Sequence, residues 1–254
     1  MEASPALLSV IIPVKDNFQG LKASWHALSH LKSAIEVVVV DGTDQNGQSI
    51  LNHFALETQP WHHLVVGVQS GVYDAMNRGV HAASGAFVLF CGAGDCVRQE
   101  VLAGWLRSQV ATTSSPDPRV HAFAVDMGGD REGGVPAVRR PQWTGRLNWQ
   151  NTMHHQGLLI PRQWLLAEPF EAKYRVLADY HWALKMRRFR KPVTVHRETL
   201  TECAGGGVSR QFTKALYLEE WALKRSILPV WMMMAHVVWL PAKWAYKQLL
   251  NPAS

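Results

Sequence analysis

Several carboxylates in this 254-residue chain stand where apolar runs give out. Asp41 closes AIEVVVVD, Asp95 closes AFVLFCGAGD, and Asp16 follows LLSVIIPVK. An aspartate in such a place is often a turn residue. Several converging on one sheet edge can instead orient a polar ligand, accept ring N–H groups, or share a divalent ion with a ligand's phosphates. Before Asp95 the glycines Gly92 and Gly94 read either as strand punctuation or as room for a diphosphate to reach the strand end, and the second is the expectation here. A further carboxylate, Asp179 in VLADYHWALKM, is placed to cap a helix or to act as a general base. Enclosure by Tyr180, Trp182 and a bound acceptor is expected to raise its pKa above the ordinary value of about 3.9. The adjacent His154 and His155 suggest zinc, but no H-E-x-x-H or C-x-x-C accompanies them, which disfavours a zinc site.

These residues need a frame, and the apolar pattern supplies one. Continuous runs at 7–14, 34–42, 62–68 and 86–92 read as strands buried on both faces, with a further strand at 120–127. Leu21, Trp25, Leu28 and Leu31 fall at helical spacing between the first two, and 49–57, 72–83 and 100–108 read as further helices. Strand and helix alternate, which is the pattern of a doubly wound, mostly parallel α/β sheet flanked by helices. In such sheets ligands bind beyond the carboxyl ends of the strands, where Lys15, Asp16, Asp41 and Asp95 all fall.

Composition narrows the ligand. The chain is 47% hydrophobic and 18% charged, with three cysteines and a net charge of +6. Cys91, Cys96 and Cys203 have no metal or disulfide spacing and are expected as free thiols of a reducing cytosol. The opening MEASPALLSVIIPV has no basic n-region of a secretory signal. The last third is basic, which suits anionic headgroups or phosphorylated substrates, and no helix-turn-helix, zinc-finger or RNA-binding signature supports nucleic acid as a partner. Neither G-x-G-x-x-G nor G-x-x-x-x-G-K-[ST] follows the first strand, which disfavours the usual dinucleotide and P-loop sites.

SVIIPVKDN, EVVVVDGTDQNG, SGVYDAMNRGVHAASGAFVLFCGAGD, HHQGLLIPR and VLADYHWALKM occur in the order found in inverting GT-A glycosyltransferases of family 2, and the chain resembles them over residues 8 to about 209. The resemblance implies a GT-A, Rossmann-like fold and a nucleotide-sugar donor, a UDP-sugar foremost. It implies that Pro13, Val14 and Asp41 hold the nucleotide, Asp41 accepting from a ring N–H, with Asp74 and Asn77 near the ribose and sugar. Asp95 takes the place of the last acid of a D-x-D-like motif whose other members are replaced here, and would hold Mn2+ or Mg2+. Asp179 would be the catalytic base, and His155 and Gln156 would line the acceptor side, with His154 as packing; Arg78 is read as exposed surface. The acceptor would be a glycan, lipid-linked or not, in bacterial polysaccharide biosynthesis. Two rival readings are a sugar-nucleotide pyrophosphorylase, which would want a basic glycine-rich loop after the first strand, and a non-catalytic protein of this fold in membrane assembly.

Residues 1–209 therefore read as the catalytic domain, with CAGGGVSR at its end, and 210–254 as a helical extension. Between Pro229 and Pro241 the extension is apolar but interrupted by His236, too short for a span of about 20 residues. Trp231, Trp239, Trp244 and Tyr246 beside Lys243 and Lys247 suit a helix lying in a membrane interface, with packing on the domain as the alternative. The expected location is peripheral, on the cytoplasmic face of the cell membrane.

Overall fold

The computed structural model describes residues 6–31, 34–42, 62–66, 70–111, 118–128, 137–204 and 213–250, with backbone alone for 62–66 and 248–250. The first strands form as their apolar runs dictate: β1 (Leu8–Val14) and β2 (Ile35–Asp41) are buried almost throughout. They pair in parallel, with Val14 beside Asp41 at their carboxyl ends. β3 (His62–Val66) adds in parallel to β2, and β4 (Phe87–Phe90) adds in parallel to β1.

Side chains alternate across this sheet and build a core on each face. On one face Val10, Ile12, Val37 and Val39 meet Leu21, Trp25 and Leu28 of α1 (Phe18–Leu28) and Leu102 and Trp105 of α3 (Gln99–Ala111). On the other, Ile11, Val38 and Val40 meet Tyr73, Met76 and Val80 of α2 (Val72–Ala82).

Beyond β4 the sheet becomes mixed. The short β5 (Cys96–Val97), β6 (Val120–Asp126), β7 (Val138–Arg139), β8 (Leu158–Pro161) and β9 (Val193–Glu202) complete it in the order β3-β2-β1-β4-β8-β6-β9-β5, with β7 paired to β6. β8 is antiparallel to both of its neighbours, and β6 runs parallel to β9 through a register shift between Ala122 and Val125. The short α4 (Arg162–Ala167) and then α5 (Ala178–Arg188) follow β8.

At the amino ends of the strands the sheet is closed by a buried carboxylate. Glu36 accepts from the Ser84 backbone N–H (2.8 Å), the Ser84 hydroxyl (2.9 Å) and the Ser9 hydroxyl. The open edge is therefore the opposite one.

After β9 the chain forms α6 (Lys214–Ile227) and α7 (Val230–Leu250), the latter with Pro241 inside it. Leu223 and Ile227 of α6 belong to the same core as α2 and α5. One face of α7 is packed, with Met233, His236 and Leu240 buried and the His236 ring 4.7 Å from that of Trp149. The other face stays apolar and exposed, as at Val230 (79%), Trp231 (71%) and Val238 (73%). Packing on the domain, one of the two alternatives for the extension, is therefore seen on one face of the helix. Among the described residues no helix is long and apolar enough to cross a membrane. The helix expected at 49–57 and the glycine run at 205–207 lie outside the described residues.

Candidate functional site

The loop from Gly92 to Asp95 is built around its own carboxylate. Asp95 Oδ2 accepts from the Gly92 N–H (2.7 Å) and from Gln156 Nε2, and Oδ1 accepts from the Ala204 N–H (2.8 Å). A Cβ on Gly92 would stand 2.6 Å from Asp95 Oδ2, and Gly94 holds a φ of 107°. The glycines are thus required by the loop's own closure, a different reason from the expected approach of a diphosphate. Helix α1 secures the loop from below: the Ser24 hydroxyl bonds the Asp95 carbonyl (2.9 Å) and accepts from the Gly94 N–H (2.9 Å), and Asn17 Nδ2 donates to the Ala93 carbonyl (3.2 Å).

Burial pushes the Asp95 carboxyl above its ordinary pKa, opposed by the Ala204 and Gly92 N–H groups and Gln156. A carboxylate offers roughly four lone-pair positions, of which three are filled here. Among the described residues no group of three or more His, Cys, Asp and Glu side chains is assembled to hold a metal. One remaining position on Asp95 fits the kind of divalent site that takes a single carboxylate and completes its shell with substrate phosphates and water.

The other expected donor residues separate into two groups. Pro13, Val14 and Asp41 share the carboxyl end of the β1–β2 pair, where Asp41 is wholly buried and the Gly42 N–H bonds the Val14 carbonyl (2.8 Å). Asp74, in the first turn of α2, accepts from the Ser70 N–H (3.2 Å) and from Arg78 Nε (3.2 Å). Arg78 is exposed on the helix surface, as read from the sequence. Asn77 has its amide donating to the Phe170 carbonyl (2.8 Å) and accepting from the Phe170 N–H (3.0 Å), which ties α2 to the segment before α5.

Asp179 is the second residue of α5 and does not cap it; the capping position is Leu177, without a side-chain bond. The exposed donors of that turn are satisfied from another element. Glu219 of α6 accepts from the N–H groups of Val176 (2.9 Å) and Leu177 (2.7 Å) through Oε1, and from Arg175 N–H (3.1 Å) through Oε2. Because an uncapped helix start leaves its first N–H groups without partners, this carboxylate fixes where α5 begins and hence where Asp179 stands.

Asp179 itself is buried, with each oxygen held. His155 Nδ1 donates to Oδ2 (2.9 Å), a direction set by the carboxylate being an acceptor. Oδ1 accepts from the Tyr180 N–H (2.7 Å) and lies 3.2 Å from the Tyr73 hydroxyl, which is also 2.8 Å from the Val176 carbonyl. Burial pushes the carboxyl up, but the hydrogen bond and charge of His155, the charge of His154 and the Tyr180 N–H outweigh it and hold the pKa below the usual carboxylate value. Without an acceptor, the histidine partner thus outweighs the enclosure by aromatic residues.

A cavity of about 550 Å³ opens beside this pair. Asp179, His155, His154 and Tyr73 line one side; Arg139, Arg140 and Arg146 line another; and Tyr217, Glu220, Lys243 and Lys247 of α6 and α7 close it. His154 thus faces the cavity, its ring stacked 5.1 Å from that of His155, where packing was expected. Gln156 does not line this cavity; it donates to Asp95 and accepts from the Cys203 thiol (2.9 Å), and so braces the Asp95 loop. The wall made by α6 and α7 is locked by ion pairs. Glu220 accepts from Lys224 (2.8 Å) and Lys243 (2.7 Å), with Lys224 fully buried and its pKa brought down by burial to about 8.

Tyr73, Glu219 and the basic wall were not singled out from the sequence. Tyr73 lies inside the quoted GVYDAMN block, whereas Glu219 carries no local signal, since its role depends on α6 folding back over α5.

Comparison with known proteins places this geometry in context. The sequence model described as "Glycosyl transferase family 2" matches residues 9–164. A "PGL/p-HBAD biosynthesis glycosyltransferase" of Mycobacterium bovis is 30% identical over 194 residues, covering 75% of this chain and 73% of the relative. "Glycosyltransferase AglE" of Haloferax volcanii is 31% identical over 154 residues, 57% of this chain and 47% of that protein. Among solved structures, S. aureus TarS 1–349 in complex with UDP-GlcNAc aligns with a TM-score of 0.60 at 17% identity, over 95% of this chain and 72% of that one. The longer TarS chain is spanned to 44% of its length. The mannosyltransferase PcManGT of Pyrobaculum calidifontis, in complex with GDP-Man and Mn2+, aligns at a TM-score of 0.56 and 16% identity, over 87% of this chain and 64% of that one. At such identities the structural likeness speaks for the fold, a GT-A arrangement.

Proposed function

The chain belongs to glycosyl transferase family 2 and is a glycosyltransferase, and from that premise we propose that it transfers a sugar from a nucleoside-diphosphate donor, UDP-linked, to a hydroxyl of a glycan acceptor with inversion at the anomeric carbon. The observation that carries the reading is Asp179, a buried carboxylate held ionised by His155 at the wall of a cavity large enough for a sugar residue. In one displacement the acceptor oxygen bonds to the anomeric carbon, the bond from that carbon to the diphosphate oxygen breaks, and the acceptor's proton passes to Asp179. His155 and Tyr73 hold the carboxylate in place for that step.

The nucleotide is assigned to the strand ends at Pro13, Val14 and Asp41, where Asp41 accepts from the base, and the sugar side to the neighbourhood of Asp74. A divalent ion, Mn2+ or Mg2+, held by Asp95 with the donor's diphosphate, would supply neutralisation of the leaving group's charge. PcManGT, described with GDP-Man and Mn2+, and TarS, described with UDP-GlcNAc, support such a donor. The exposed apolar face of α7, in a basic part of the chain, supports attachment to an anionic membrane surface, at the cytoplasmic face of the cell membrane, with a lipid-linked glycan as acceptor. The catalytic unit is taken as residues 1–209 and the membrane-associated extension as 210–254.

A thermal-shift panel of nucleotide sugars, with and without Mn2+, tests this. A ligand that binds only the folded chain raises its stability by RT ln(1 + [L]/Kd). One UDP-sugar is expected to stand out, more so with metal; a panel in which no nucleotide sugar shifts the melting temperature would contradict the reading.

A further inference from the structure

An inverting displacement has two ends, and the span between them must be fixed. The attacking oxygen and the leaving diphosphate oxygen stand on opposite sides of the anomeric carbon, so the base and the group assigned to the diphosphate must keep a set separation. Here those ends are Asp179 on α5 and Asp95 in the loop after β4, and the single turn His155–Gly157 touches both. His155 Nδ1 donates to Asp179 Oδ2 (2.9 Å), and its neighbour Gln156 donates through Nε2 to Asp95 Oδ2. Burial pushes both carboxyl groups up, and the charge of His155 acts against it at both. The turn is itself gripped from its far side. The wholly buried Thr201 of β9 donates its hydroxyl to the Gln156 carbonyl (2.6 Å), and the Cys203 thiol donates to Gln156 Oε1 (2.9 Å). A Cβ on Gly157 would stand 2.5 Å from the Phe123 carbonyl oxygen and 2.7 Å from a methyl of Val125, so the turn is pressed against β6.

We infer that this turn is the gauge that sets the base against the diphosphate end of the site, and that Gln156 and Thr201 are positioning residues that act on Asp179 through His155. This deepens the glycosyltransferase reading and rests on its assignment of Asp95 and Asp179. Gln156 grips the donor end directly, and because its peptide continues from that of His155, a displacement at one carboxylate is passed to the other. Thr201 acts at one remove, by holding the Gln156 carbonyl, and it does not line the cavity. A loosened turn leaves both carboxylates in the site but free to shift against each other, and a misplacement of about 1 Å costs up to ~10²-fold in rate.

Three variants of the full chain test the inference: Thr201→Val, which removes the hydroxyl and keeps the shape; Thr201→Ser, which keeps the hydroxyl; and Gln156→Met, which keeps the length and loses both amide bonds. The first readout needs neither donor nor metal. The ring 15N signals of His155, assigned by their absence in His155→Ala, are expected to shift in Thr201→Val and in Gln156→Met and to stay in place in Thr201→Ser. Signals unmoved in both Thr201→Val and Gln156→Met would overturn the inference. The second readout is kinetic. Thr201→Val is expected to lower kcat about tenfold with the donor KM unchanged, Thr201→Ser to restore it, and Thr201→Val added to His155→Ala to cost less than about twofold more. A full tenfold loss in the His155→Ala background would show that Thr201 does not act through His155, and would overturn the inference too. A wild-type chain that transfers no sugar would count against the glycosyltransferase reading instead, and the His155 signals then decide by themselves whether the turn couples the two carboxylates.

Discussion

Asp95 and Asp179 are both buried carboxylates at the edge of the same sheet, and they are held in opposite ways. Asp95 is gripped by two backbone N–H groups and a glutamine amide, none of which carries charge, and burial leaves its carboxyl above the ordinary value. Asp179 has a histidine and a tyrosine side chain beside it, and its carboxyl lies below the ordinary value. Burial alone therefore does not decide what a carboxylate becomes; the partner does. Backbone N–H groups fix a position, which suits the loop-organising and metal-holding part proposed for Asp95. A titratable imidazole can follow a proton, which suits the base proposed at Asp179.

The largest effect should come from the first of the two. Asp95→Ala is expected to abolish transfer and also to weaken the fold, because the Gly92 and Ala204 N–H groups lose their acceptor at about 1–3 kcal/mol for each group left buried and unpaired. Denaturant unfolding and a transfer assay on the same variant measure both. Next is Glu219→Ala, a residue that does not itself line the cavity. By freeing the start of α5 it should misplace Asp179 and lower the rate by up to ~10²-fold with UDP affinity unchanged, the loss expected from a displacement near 1 Å. An unaltered rate would show that α6 does not position the base.

The smallest and most diagnostic change is His155→Ala, read in the pH profile. In the wild-type protein Asp179 has a lowered pKa, so the base stays ionised, and its activity persists, until pH falls below the usual carboxylate range. Without His155 only the charge of His154 and the Tyr180 N–H oppose burial and the pKa rises, so activity should fail on acidification at a higher pH than in the wild type. An acid limb that does not move would show that His155 does not set the state of Asp179.

Much of the parallel half was legible because its strands are buried on both faces and read as unbroken apolar runs: Leu8–Val14 and Ile35–Asp41 fall within a residue of their expected bounds. β9 was not legible. Its VTVHRETLTE mixes charge with threonine, and it joins the sheet with only Leu200 and Thr201 buried. The same division runs through the site. Asp41, Asp95, Asp179 and His155 stand in recognisable motifs, and the last two proved to be hydrogen-bonded to each other. The real parts of Asn77 and Gln156 depend on Phe170, Asp95 and Cys203, distant residues that no local pattern connects to them. The cavity wall was hidden for a related reason: Lys243 and Lys247 read as membrane-interface charges until α7 is seen to place them in the lining of the cavity that Asp179 also lines.

The claim that Asp179 is the base that makes this fold a catalyst is tested most directly by Asp179→Asn, with UDP-sugar affinity and transfer rate measured on one preparation. Asparagine keeps the shape and removes the proton acceptor. The account predicts an unchanged donor Kd and a transfer rate lower by at least ~10²-fold, as befits a positioned general base. Unchanged donor binding with a near wild-type rate would contradict it.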